Sequence, residues 1–265
     1  DEIATEVAQQ WISQGQDEHA SVGSFSRFSL ELLRFAAPPH LLAAAHRAAA
    51  DEVRHAQDAF ALATLFGKSR AGSGDSGTKL GAFPVENVQL SASLSSMVAR
   101  TFEEGCEGES AAVARLAYAD AVMSTNSPAR LPMAELLQDE VRHAALAWAT
   151  VRWALQSEIV TTDESFLSQR APPPQEDKAA QEEDSAPLSL VWGGRVPAED
   201  SQAIGRTVAR HWVQPWIKAS VENVRQPLPE VLPGGGAYCA AVAKAAEMVR
   251  RELHRLEGSS RTDTS

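Results

Sequence analysis

Apolar side chains recur at three- and four-residue steps along most of the chain, and no segment alternates as a strand requires. Over residues 3–36, Val22, Phe25, Phe28 and Leu32 mark one stripe; Glu18, four residues before Val22, and Trp11, seven before Glu18, fall on it as well. The pattern predicts one long helix, with Gly15 and Gly23 as points of interruption, ended by Ala37-Pro38-Pro39. Proline stops a helix because it lacks the backbone donor and clashes with the preceding turn. A second helix, rich in Ala and Leu, is predicted over 40–66, a third over 88–123 and a fourth over 131–157. Ser124-Thr125-Asn126-Ser127-Pro128 separates the last two. Residues 67–85, GKSRAGSGDSGTKLGAFPV, are too rich in Gly and Ser for an ordinary helix. Short links at both ends and a connection of roughly 20 residues in the middle describe an all-α four-helix bundle with a long crossover between helices two and three.

The chain changes character after the bundle, which spans residues 1–158. Residues 159–190 hold Ala171-Pro172-Pro173-Pro174 and the run Gln181-Glu182-Glu183-Asp184, the composition of a solvated acidic linker. A C-terminal helical extension follows over 191–257, with helices expected over 197–224 and 238–256, and residues 258–265 read as a disordered tail. Trp212, Pro215 and Trp216 suit either a packing patch against the bundle or the interface of a homodimer. Of 265 residues 44% are hydrophobic, enough for a sizeable core. The net charge of −11 argues against nucleic acid or an anionic membrane as partner. No apolar run approaches the roughly 18 residues of a membrane span. The acidic balance is a hint of a cytoplasmic protein, and the opening at Asp1 rather than Met suggests a trimmed start. Two cysteines, Cys106 and Cys239, supply neither a disulfide framework nor a zinc site.

One hexapeptide occurs twice: Asp51-Glu52-Val53-Arg54-His55-Ala56 and Asp139-Glu140-Val141-Arg142-His143-Ala144, 88 residues apart. Residues three apart on a helix lie about 4.5 Å from each other along the axis and within about 60° of one direction. Glu52 with His55, and Glu140 with His143, can therefore converge on an ion. Carboxylate and imidazole suit iron or manganese, and the lack of thiolate disfavours structural zinc. Burying such groups on apolar stripes without an ion would cost many kcal/mol. Two pairs facing each other across a bundle would hold two metals, each needing further carboxylates.

The other two helices offer these. Glu18 precedes Glu52 by 34 residues, and Glu104 precedes Glu140 by 36, so the two halves have nearly matching spacing. Glu104 is the favoured ligand of helix three. Glu107, three residues on, shares its face as an extra ligand, and Glu109, turned about 140° from Glu104 in an α-helix, is weaker. Asp51 and Asp139 could each orient the histidine of the opposite helix, with Arg54 and Arg142 neutralising them. Gly105 and Gly108, mid-helix, suit either close helix packing or a helix opened locally for oxygen or substrate. Tyr118 lies about 21 Å along the axis from Glu104, too far for a tyrosyl radical beside the metals.

The two Asp-Glu-Val-Arg-His segments, with Glu18 and Glu104 ahead of them, resemble the ferritin-like di-iron carboxylate proteins, over roughly residues 10–157. The Asp-Glu-x-Arg-His form looks most like the bacterial multicomponent monooxygenases, the acyl-carrier-protein desaturases and related oxygen-activating enzymes. The segment from Glu18 to Phe28 and the Glu-Gly-Cys segment also resemble an uncharacterised group of bacterial ferritin-like proteins. The resemblance implies a ferritin-like bundle holding two iron ions, with manganese–iron or dimanganese centres as variants. It implies an oxidoreductase that uses dioxygen to hydroxylate, desaturate or N-oxygenate a small organic molecule. No flavin, nicotinamide or iron–sulfur motif is visible, so a separate electron-donor reductase is implied. The alternative is iron handling by ferroxidation, or peroxide scavenging; a rubrerythrin's rubredoxin-like module would need two Cys-x-x-Cys pairs, which are absent.

Overall fold

The computed structural model describes residues 2–67, 82–157, 188–216 and 238–259, and among them every regular element is helical. Helix α1 spans Glu2–Arg34 and α2 spans Pro39–Gly67. Helix α3 is continuous but composite: Leu94–Arg100 is α-helical, Thr101–Glu109 is π-helical and Ser110–Val122 is α-helical again. Helix α4 spans Arg130–Gln156. The C-terminal region contributes a short α5, Leu188–Gly193, then α6, Ala198–Val208, which runs on through a π turn at Ala209–Val213, and α7, Cys239–Ser259.

Several boundaries differ from the sequence expectations for local reasons. Helix α1 runs unbroken through Gly15 and Gly23, because the rings of Phe60 and Phe83 occupy the space their side chains would fill. The two glycines admit neighbouring aromatics rather than breaking the helix. Helix α3 starts at Leu94, not at residue 88, because Ser93 forms a capping box: its Oγ accepts from the Ser96 amide at 3.1 Å, and Ser96 Oγ accepts from the Ser93 amide at 3.0 Å. Helix α7 extends two residues into the expected tail. Most of the expected crossover and linker, and the end of the tail, lie outside the described residues.

Helices α1 and α2 pack along their lengths as an antiparallel pair, and α4 packs against α2, α3 and α7. Enclosure of α4 explains its composition: every residue from His143 to Val151 is buried, so this stretch carries no solvent face. Trp148 anchors the core, with ring centroids 4.6 Å from Trp216 and 5.9 Å from Phe102, while its Nε1 donates to Ser110 Oγ at 3.1 Å. Trp212 stacks on the same ring at 6.3 Å. The C-terminal region is thus part of the bundle's core. It is also tied to α1, where Trp11 Nε1 donates to the Gly193 carbonyl at 3.1 Å, and to the α3–α4 turn, where the Ser124 amide donates to the Val191 carbonyl at 2.8 Å. Gly194 then turns the chain with φ of 68°, a left-handed conformation that favours glycine.

The π segment lies directly on α4. A Cβ on Gly105 would meet Ala147 Cβ at 2.5 Å, and both atoms sit on rigid helices. Gly105→Ala is expected to destabilise the fold by about 1–3 kcal/mol through overpacking, offset in part by about 1 kcal/mol of helix propensity. Gly205→Ala, in α6, meets nothing within 4 Å and is expected to stabilise by up to about 1 kcal/mol. Equilibrium denaturant unfolding of the two variants checks the opposite signs.

Candidate metal centre

The two hexapeptides sit at the same level of α2 and α4 and face each other. His55 and His143 have ring centroids 5.8 Å apart, and both are buried. Each imidazole turns Nε2 toward the aspartate of the opposite helix: His55 Nε2 lies 2.9 Å from Asp139 Oδ2, and His143 Nε2 lies 3.5 Å from Asp51 Oδ2. Arg54 and Arg142 each bind both aspartates, Arg54 to Asp51 at 3.1 Å and Arg142 to Asp51 at 3.2 Å, with closer contacts from both to Asp139. The opposite nitrogens, His55 Nδ1 and His143 Nδ1, point inward and have no hydrogen-bond partner.

Glu52 and Glu140 lie between the histidines. Glu52 places Oε2 3.6 Å from His55 Nδ1 and Oε1 3.1 Å from His143 Nδ1. Glu140 places Oε1 3.6 Å from His55 Nδ1 and Oε2 3.6 Å from His143 Nδ1. Each carboxylate therefore offers one oxygen to each imidazole. Glu18 closes one end: one donor atom each from Glu18, Glu52, His55 and Glu140 fall within 4.8 Å of one another. Glu109 closes the other, grouped in the same way with Glu140 and His143.

Glu104 and Glu107 belong to neither group. Glu104 is half exposed and ion-paired with Arg27. The expectation that Glu104 supplies helix three's carboxylate assumed α-helical geometry. Hydrogen bonding from i to i+5 adds about one residue per turn, so positions five apart come toward alignment and positions three apart diverge. Glu104 and Glu109 accordingly line the same cavities, with Glu109 at the cluster and Glu104 outside it. The sequence signal was the pair Gly105 and Gly108, which suited either close helix packing or a locally opened helix and did not by itself give the change of register.

Crowding of buried carboxylates and imidazoles shifts their proton affinities strongly. Burial, a hydrogen bond shared with Glu52 and the charge of Glu140 push the Glu18 carboxyl up to about 9. Burial and Glu140 push Glu109 well above the usual carboxylate range. Burial also opposes ionisation of Glu52, but its close neighbours His143, His55 and Glu18 win and bring it down to about 2. Burial alone would keep both imidazoles neutral. Glu52, Glu140 and Asp139 instead raise His55, and Glu140, Asp51 and Glu52 raise His143 well above the ordinary histidine value. Without an ion, protons thus hold these carboxylates and imidazoles together. Buried Nδ1 atoms and the Glu52 Oε2 atom lacking hydrogen-bond partners are what a metal ligand set requires before it is filled. These buried Glu and His groups can hold metal ions, and hard oxygen with imidazole nitrogen fits iron or manganese.

The cluster opens on two cavities between α1 and α3. One, of about 330 Å³, is bounded by Glu18, Glu109, Glu140, Arg115 and Arg195. The other, of about 360 Å³, is bounded by Phe25, Phe28, His143, Leu146 and the Arg27–Glu104 pair. Arg115 and Arg195 carry no motif that sequence reasoning could single out; Arg195 reaches the cavity only through the docking of the C-terminal region. No protein-family model, curated protein or solved structure matches this chain.

The folded, metal-free protein holds more protons at Glu18 than the unfolded chain between pH 4.5 and about 9, and the raised histidines act in the same direction above 6.5. Its stability is therefore expected to fall as pH rises through that window. Glu52, with a depressed value, contributes stability that is lost only below about 4.5. A divalent cation replaces the protons, so metal affinity rises with pH and the decline in stability is abolished. Melting temperatures from about pH 5 to about pH 9, with chelator and with manganous ion, check this; a flat profile with chelator would contradict the buried-proton account.

Proposed function

We propose that this chain is a ferritin-like di-iron carboxylate oxidoreductase that uses dioxygen to oxidise a small organic substrate by hydroxylation, desaturation or N-oxygenation. The observation that carries the reading is the division of Glu52 and Glu140, each with one oxygen beside each histidine. Carboxylates so divided suit two ions better than one. Two iron ions bound there would supply the redox capacity to reduce dioxygen, with manganese–iron or dimanganese centres as variants of the same ligand chemistry.

The chain's own residues do the rest. Glu18 and Glu109 complete the carboxylate set at the two ends. Asp139 holds His55 Nε2 by a hydrogen bond and Asp51 faces His143 Nε2 at 3.5 Å, with both Nδ1 atoms turned inward. Arg54 and Arg142 cancel the charge of those aspartates. The Phe25 ring, 4.9 Å from the His143 ring, walls the cavity on that side. The cavities beside Glu109 give a substrate room next to the cluster. Electrons come from a separate reductase, since the sequence carries no flavin, nicotinamide or iron–sulfur motif.

Charge balance supports a pair of dications. Without metal, protonated Glu18 and Glu109 and two charged histidines balance the cluster; with it, two dications take the place of those protons. Anaerobic loading with ferrous iron is expected to bind two ions per chain and release about four protons near neutral pH. Glu109→Gln and His143→Ala should each lose bound iron, whereas Glu104→Gln should retain the full complement. Full loading of both Glu52→Ala and His143→Ala would overturn the ligand assignment. On admission of air, oxidation of an added organic compound supports the oxygenase. Accumulation of many irons per chain would favour iron handling instead, and rapid peroxide consumption alone would favour a peroxidase.

A further inference from the structure

Two arginines stand where metal ligands are not needed. Arg115, on α3, and Arg195, after Gly194, both bound the 330 Å³ cavity whose inner wall is Glu18, Glu109 and Glu140. Arg115 has no hydrogen-bond partner among the described residues and faces Glu109 and Glu140 electrostatically. Arg195 is better held: its guanidinium lies 5.1 Å over the Trp11 ring and donates to Gln14 Oε1 at 2.8 Å, yet its buried Nε has no partner. Both arginines are part-buried, and a cationic side chain so placed is ordinarily matched by an anion.

The candidates for that anion are already committed. Glu18, Glu109 and Glu140 form part of the metal-binding groups. Once they neutralise bound cations, neither guanidinium retains them as counter-charges. Glu104 is taken by Arg27. Asp17 is exposed at the cavity's edge, where water screens its charge. A filled metal site therefore leaves two positive forks on the wall of this half-open chamber. Leu116, Met133 and Leu136 add an apolar wall to the same chamber. Its volume lies at the lower end of the roughly 300–1,000 Å³ range of small-molecule sites, too small for a polymer.

The geometry points to a small organic carboxylate as the substrate class: Arg115 and Arg195 clamp its carboxylate, its apolar body lies along Leu116, Met133 and Leu136, and its far end faces Glu109 and Glu140. This rests on the metal-centre reading above and adds the substrate to it. Arginine suits the task because its planar fork matches a carboxylate with two parallel hydrogen bonds. The two residues are positioned for binding and orientation, and exchange no proton with the substrate.

The test uses full-length protein loaded anaerobically with ferrous iron, its iron content measured first, then titrated calorimetrically with benzoate, hexanoate and the matching amides. The acids are expected to bind at least tenfold more tightly than the amides. Arg115→Gln and Arg195→Gln should each erase most of that preference with iron content unchanged, and Arg195→Lys should keep part of it. If Arg195→Gln fails to fold, Arg115→Gln decides, since Arg115 makes no hydrogen bond among the described residues whose loss would cost the fold. Equal binding of acids and amides, or inorganic phosphate binding as tightly as benzoate, overturns the proposal while leaving the metal centre standing. A preference that survives both Gln variants assigns the carboxylate to the metal ions and overturns it too. Failure to bind iron at all overturns the metal-centre reading and this inference with it.

Discussion

Four carboxylates and two imidazoles in the middle of a helical bundle cannot be buried unless their charges cancel. Each isolated ionised group would cost several kcal/mol to desolvate, far more than a domain's margin of stability allows in sum. The fold meets this constraint in layers. Inside, Glu18 and Glu109 hold protons, and Glu52 and Glu140 lie against both imidazoles. Outside, Asp51, Asp139, Arg54 and Arg142 form a closed set of ion pairs that crosses between α2 and α4. Every polar group at the centre depends on a partner from a different helix, so the cluster fixes the register of the bundle as well as its chemistry.

This cross-helix exchange has an approximate twofold character that the sequence already carries. The repeated Asp-x-x-Arg-His spacing supplies aspartate to the other helix's imidazole and arginine to both aspartates, so the second hexapeptide completes the first. That is why the α2 and α4 residues of the cluster were legible without coordinates, and why Glu18, on the apolar stripe of α1, was too. The α3 contribution was not. A residue's face follows from its number only while the helical period holds, and Thr101–Glu109 abandons that period. The π segment shifts the inward carboxylate from Glu104 to Glu109 and breaks the matching spacing of the two halves. Gly105 is the local cause that the structure offers, since only a residue without Cβ lets this backbone lie so close to Ala147. Arg195 was illegible for a different reason. It is remote in sequence from the bundle, and only tertiary docking through Trp11 and Val191 brings it to the cavity.

The departure from twofold symmetry also decides which side of the centre is open. On the α2–α4 side, beside the Asp51–Arg142 ion pair, lies a cavity of about 20 Å³. On the α1–α3 side, cavities of about 330 and 360 Å³ reach the same carboxylates. A perfectly duplicated helix pair would have no reason to differ in this way. The widened turn of α3 is the element that differs, and Glu104, Gly105, Gly108 and Glu109 from it all border one or both cavities. The paired Asp–Arg contacts of the repeated hexapeptide account for the cluster's closed face, and the π segment borders its accessible one.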